Sequence, residues 1–169
     1  MSAAPARVRP IERSRGLVPL VEGALWTCWR PLRFHGIAMG TRMTVCKLSD
    51  GELFVHSPIA PDAVLLAALR ELGCVEHVVA PNKLHHLYVA EFAAQFPDAW
   101  TYASPDLPAR RPDLRFDVVL GDAPRPGWSR HLDQCVVRGR FFPDEVVFLR
   151  RAWSRVSVGS ISATVRRAT

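Results

Sequence analysis

Short strand-like apolar runs, separated by turns, fill the chain from residue 24 to residue 56. Ala24 to Trp29 reads as a strand, and Leu32 to Ala38 with Arg42 to Leu48 reads as a hairpin turning at Met39, Gly40 and Thr41. An Asp50-Gly51 turn then joins Thr44–Leu48 to Leu53–His56, so the first half predicts an antiparallel meander. The period becomes helical at Pro61. Asp62 suits a helix start, Val64, Leu65, Ala68, Leu69 and Leu72 form one apolar face, and Gly73 supplies the stop. Val75–Ala80 is a valine-rich strand broken by Pro81 and Asn82. Helical spacing resumes from Leu84 to Phe96, Pro97 ends it, and Trp100–Ala103 is the next strand. Shorter strands follow at Phe116–Leu120, Leu132–Val137 and Val146–Leu149. A meander followed by strand, helix, strand predicts an α/β layer with crossover connections.

The chain has 169 residues, 49% of them hydrophobic, which suits one compact domain. Residues 1–16 are rich in Ala, Pro and Arg without periodicity and read as a disordered leader, 17–149 as the domain, and 150–169 as an atypical basic tail. The formal charge of +6 follows that division. Arg7, Arg9, Arg13 and Arg15 crowd the leader, Arg150, Arg151, Arg155, Arg166 and Arg167 the tail, and the body between them is slightly acidic. A folded surface that tracks phosphates should carry its cations on the domain itself, so nucleic acid is not the expected partner. The longest stretch without a charged residue, Val156 to Val165, falls far short of the roughly 20 residues that span a bilayer, and no membrane partner is expected. Pro19 and Glu22 interrupt any secretory signal, while the Arg-rich start leaves an organelle-transit reading open beside the expected cytoplasmic location. Cys28, Cys46, Cys74 and Cys135 are too widely spaced for a C-x-x-C pair and read as buried free thiols.

Groups able to do chemistry concentrate after the strand Val75–Ala80, where Asn82, His85 and His86 mark a strand end and a helix start. Neighbouring imidazoles on a helix diverge by about 100°, so at least one should face a cleft or solvent. Helix-start hydrogen bonding is the structural alternative. His56, followed by Ser57 and Pro58, ends an earlier strand. If the two strands are neighbours, His56, Asn82, His85 and His86 line one crevice, and three imidazoles, His56, His85 and His86, suit zinc or another divalent metal. His85 and the late acid Glu145 are the candidates for proton handling, and His56 and Asn82 for contact with a small-molecule substrate. His35, His77 and His131 read as structural. Gly159–Ala163 approaches a nucleophile elbow but ends in Ala and lacks the strand-to-helix setting.

Four strings carry a resemblance: R-M-T-V at Arg42–Val45, F-V-H-S-P at Phe54–Pro58, V-A-P-N with H-H across Val79–His86, and R-P-D-L-R-F-D at Arg111–Asp117. In this order and spacing they resemble a bacterial and plant family of unknown function with a metallo-β-lactamase-like fold, over roughly Leu17 to Phe148. The resemblance implies an αββα sandwich with any active site along one edge, and descent from a hydrolase. It also implies a departure. The H-x-H-x-D-H motif of zinc hydrolases, set with its last His on His86, meets Pro81, Lys83 and His85 at its first His, second His and Asp. Proline offers no ligand atom and lysine would repel a metal, so the ordinary binuclear site is not expected. Relatives follow the strand at Glu145–Leu149 with a hairpin and an aspartate-bearing segment, whereas Ala152–Thr169 holds no Asp, Glu or His. An incomplete fold is therefore expected, through truncation or a shifted reading frame, with a bare sheet edge open to self-association. Three functional readings stand: a hydrolase-derived domain with an altered or lost metal site, a non-catalytic module for a small molecule or protein, and an inactive truncated product.

Overall fold

In the computed structural model, residues 16–34, 36–48, 51–139, 144–151, 156–158 and 163–165 are described. The expected leader thus lies outside the described residues, as does most of the elbow-like Gly159–Ala163. Strands β1 (Val18–Val21), β2 (Leu25–Phe34), β3 (Ile37–Lys47) and β4 (Glu52–His56) run antiparallel, each beside the next. Then α1 (Ala63–Leu72), β5 (Cys74–Ala80), α2 (Val89–Ala93), β6 (Trp100–Ala103), α3 (Leu107–Arg110) and β7 (Val118–Val119) follow, and β4 to β7 are parallel, joined by crossover helices. These seven strands make one sheet in sequence order. A second, antiparallel sheet is built from β8 (Leu132–Val137), β9 (Glu145–Arg150), β10 (Val156–Val158) and β11 (Ala163–Val165).

Alternation along β3 and β4 sorts the side chains into two cores. Met43, Val45, Leu53 and Val55 face the helices and meet Leu65, Leu69, Val89, Phe92 and Leu107, so all three helices cover one face of the first sheet. Cys46 and Phe54 face the other way and join Leu132, Val146 and Phe148 of the second sheet and Trp128 of the turn before it. The described elements are therefore layered helices, sheet, sheet. The helix α1 owes its place to Leu65 and Leu69, whose full burial stabilises by about 1.5–3 kcal/mol each. Its start is fixed by Asp62, whose Oδ1 accepts from the Leu65 amide at 2.8 Å while Oδ2 meets Arg30 of β2 at 2.6 Å. That amide, with Arg30, holds the Asp62 carboxyl below its ordinary pKa.

Several expectations are corrected. The β2–β3 hairpin turns between Phe34 and Ile37, with Gly36 at φ +80°, and β3 runs straight through Met39–Thr41. Gly40 serves a different end: a Cβ there would sit 2.0 Å from the Trp29 indole Nε1, so the ring lies directly on the glycine. Val64 is exposed rather than on the buried face of α1. Helix α2 is only Val89–Ala93, because residues 82–88 are bends and turns. Cys28 and Cys46 are buried as expected, but Cys74 and Cys135 are exposed. The edge of β9 is not bare, since Val156–Val158 of the basic tail pairs with Phe148–Arg150.

Candidate functional site

Because β4, β5 and β6 are parallel, their C-terminal ends meet at one edge, the place where α/β sheets present ligand-binding loops. The Ser57 amide donates to the Val79 carbonyl at 3.0 Å and the Ser104 amide to the Ala80 carbonyl at 3.0 Å, stitching the three ends together. Ser57 adopts φ +56°, a left-handed conformation that costs a non-glycine residue about 1–2 kcal/mol. It turns the chain sharply after His56. The second sheet closes the crevice, with the Val146 amide donating to the Pro81 carbonyl at 2.9 Å and so bringing the start of β9, with Glu145, to the loop after β5.

His56, 3% exposed, packs edge-on against Phe148 and has Nδ1 3.2 Å from Ser57 Oγ. Burial, and then the neighbouring His85, push its pKa down to about 3, so it is neutral at pH 7. Its Nε2 is buried without a hydrogen-bond partner. His85 is held by Asn82, whose Oδ1 accepts from the Leu84 amide at 2.8 Å, the His85 amide at 3.0 Å and His85 Nδ1 at 2.9 Å. An amide oxygen only accepts, so Nδ1 carries the proton and Nε2 keeps its lone pair. Burial lowers the His85 pKa while the nearby Glu145 carboxylate raises it. His85 is thus hydrogen-bonded to Asn82 and within electrostatic reach of both His56 and Glu145 at this edge of the sheet.

His86 does not join them. It is buried beside Arg110, Arg111 and Asp113, and burial followed by the Arg111 charge lowers its pKa. The expected set of three imidazoles is therefore not formed: among the described residues no three His, Cys, Asp or Glu side chains are placed to hold a metal ion. Successive residues of a turn diverge, and His85 and His86 have different charged neighbours, Glu145 for the first and Arg111, Arg110 and Asp113 for the second. Lys83, at a position where zinc hydrolases carry a ligand, is ion-paired with Asp106 at 2.6 Å, and Asp106 Oδ1 also accepts from Ser104 Oγ at 3.1 Å. An ammonium group with its own carboxylate is no donor to a cation, so the residues present do not fit a zinc pair. The Lys83–Asp106 contact and the strained Ser57 were not foreseen as site features; a lysine in place of a ligand was the signal for the first.

His77 is structural, as expected. It lies between the sheets with Nδ1 3.1 Å from the Tyr102 hydroxyl and its ring edge-on to Trp128. His131 is half-buried beside β8, its carbonyl accepting from the Arg151 amide, and His35 lies outside the described residues. A shallow groove lined by Arg70, Cys74, Phe96 and Asp98 lies at the other end of β5 and β6.

A family model for a domain of unknown function, DUF4336, matches residues 22–109, just over half of the chain. The chain belongs to the DUF4336 family. The match covers β2 to α3, and so every crevice residue except Glu145. The DUF4336 chain is similar in fold to a metallo-β-lactamase from Pontibacter korlensis, at 14% identity and a TM-score of 0.62, over 79% of this chain and 66% of that one. It is likewise similar to a metallo-β-lactamase from Hirschia baltica, at 12% identity and a TM-score of 0.60, over 80% and 66%. The fold is metallo-β-lactamase-like, and this chain spans just under two thirds of the length of those structures. No curated protein matches the sequence. No helix among the described residues is long and apolar enough to cross a membrane.

Proposed function

We propose that this DUF4336 domain is a hydrolase-derived module whose crevice has lost the metal site and binds a small polar molecule through His85. One observation carries the reading. Lys83, where the hydrolase motif would place a ligand, is bound to Asp106, while the imidazole beside it is fixed by Asn82 with Nε2 as a neutral acceptor. His85 Nε2 accepts a hydrogen bond from a hydroxyl or amide of the ligand, and Glu145 strengthens it as a base. His56, neutral and with a free Nε2, lines the floor and offers a second polar contact. Asn82 acts by positioning His85, its Oδ1 being fully used.

The test is a thermal-shift screen of small hydroxyl- and amide-bearing metabolites, repeated on His85→Ala. A ligand of the folded state raises the melting temperature. Hits that vanish in His85→Ala support the reading. Hits that persist unchanged in that variant, or none across the screen, contradict it.

A further inference from the structure

Strands β2 and β3 run on past both neighbours. β1 pairs with β2 only as far as Thr27 and β4 with β3 only from Thr44, whereas the β2–β3 ladder continues to Phe34 opposite Ile37. Cys28–Phe34 and Ile37–Met43 therefore form a two-stranded ribbon that extends beyond the His56 end of β4, with no other described strand beside it. The ribbon is two-faced. Cys28 and Met43, partners across the ladder, face the helix-side core, and the period of two sets Arg30, held by Asp62, and then Leu32, Met39 and Ile37 on that same face farther out. There Ile37 is 65% and Met39 52% exposed, while Leu32 is half-buried. Arg33 and Arg42 occupy the opposite face, and the stretch from Gly23 to Ser49 contains no Asp or Glu.

We infer that this ribbon is a peripheral contact for an anionic membrane surface, with Ile37 and Met39 entering the interfacial zone and Arg33 and Arg42 meeting lipid headgroup anions. Surface-binding elements combine one apolar face with arginines on the polar side, and their affinity grows with buried apolar area and with the negative charge of the lipid. The absence of acidic residues complements an anionic surface. A second copy of the ribbon would bring like charges together. Nucleic acid would use the arginines but leave the exposed Ile37 and Met39 without purpose. This departs from the sequence expectation of no membrane partner, which rested on the lack of a spanning segment and does not bear on a contact that lies on the surface. The basic leader and tail would add to the attraction, so the test must separate the ribbon from them.

The test is co-sedimentation of the full chain with vesicles of phosphatidylcholine alone and with about one third phosphatidylserine, at low and moderate salt. Wild type is compared with Ile37→Ser/Met39→Ser, which keeps the charge, and Arg33→Gln/Arg42→Gln, which keeps the apolar face; circular dichroism confirms that each stays folded. The expected result is binding to the phosphatidylserine vesicles alone, weakened roughly tenfold in both double variants. Binding undiminished in both would assign the attraction to the tails and overturn the inference. So would an absence of binding by wild type, or retention of duplex DNA that falls in the arginine variant while vesicles are ignored.

Discussion

His85 Nδ1 donates to Asn82 Oδ1 over 2.9 Å, and that bond decides which nitrogen of the imidazole keeps its lone pair as an acceptor. The same oxygen accepts the Leu84 and His85 amides, so one side chain both shapes the loop after β5 and sets the chemistry of the residue it carries.

Replacing Asn82 tests this directly. Asn82→Ala leaves the two amides and Nδ1 without their acceptor and should cost about 1–3 kcal/mol in urea unfolding. Its His85 should also lose the single tautomer in long-range nitrogen–proton NMR spectra. Asn82→Asp keeps the acceptor and adds a negative charge, which should raise the His85 pKa. An unchanged tautomer in Asn82→Ala would refute the assignment.

Acid should destabilise the fold through two buried imidazoles. Burial depresses His56 to about 3 and His77 to about 4, against an ordinary value of 6.5. Between those limits the unfolded chain binds protons that the folded chain excludes, so stability is full above about pH 6.5 and falls as the pH drops toward 4. Each group contributes a slope of about 1.4 kcal/mol per pH unit in that window. Chemical denaturation from pH 7.5 to 4.5 should show the decline, and His77→Phe should flatten it. A stability independent of pH over that range would contradict the burial of both rings.

Gly127 lies against His77, where an added Cβ would come within 2.9 Å of ring atom Cε1. The ring is wedged among Phe54, Tyr102 and Trp128 and has nowhere to go. Gly127→Ala should therefore cost about 1–3 kcal/mol. Gly121, with nothing within 4 Å of a Cβ, is the control, and its alanine variant should stay within about 0.5 kcal/mol of wild type.

At the start of α1, Asp62→Ala removes both the amide cap on Leu65 and the partner of Arg30. A loss of about 1 kcal/mol is expected, mostly recovered by Asp62→Asn, which retains the cap. Equal losses in the two variants would show that the ion pair, not the cap, matters.

The sequence made α1 legible because its signals are local: a capping Asp62, an apolar face of Leu65, Ala68, Leu69 and Leu72, and Gly73. It failed wherever a glycine or a helix start answered to something distant. Gly40 looked like a turn but makes room for Trp29 on the adjoining strand. The stretch from Leu84 looked helical, yet Asn82 takes the amides of Leu84 and His85 into a turn, delaying the helix to Val89. The approach of His56 to His85 was readable from two strand ends meeting at one edge, whereas the neighbourhood of His86 is set by Arg110 and Arg111, far along the chain and invisible to a local pattern. The Val146 amide bonds to the Pro81 carbonyl and so brings the start of β9, with Glu145, beside the loop after β5, a relation no local pattern carries.

The most direct measurement is a calorimetric zinc titration of the purified, metal-stripped chain, followed in parallel through the imidazole proton resonances. The account predicts no stoichiometric binding and no concerted shift of the His56, His85 and His86 signals. One or two zinc ions taken up per chain, with those three resonances moving together, would contradict it.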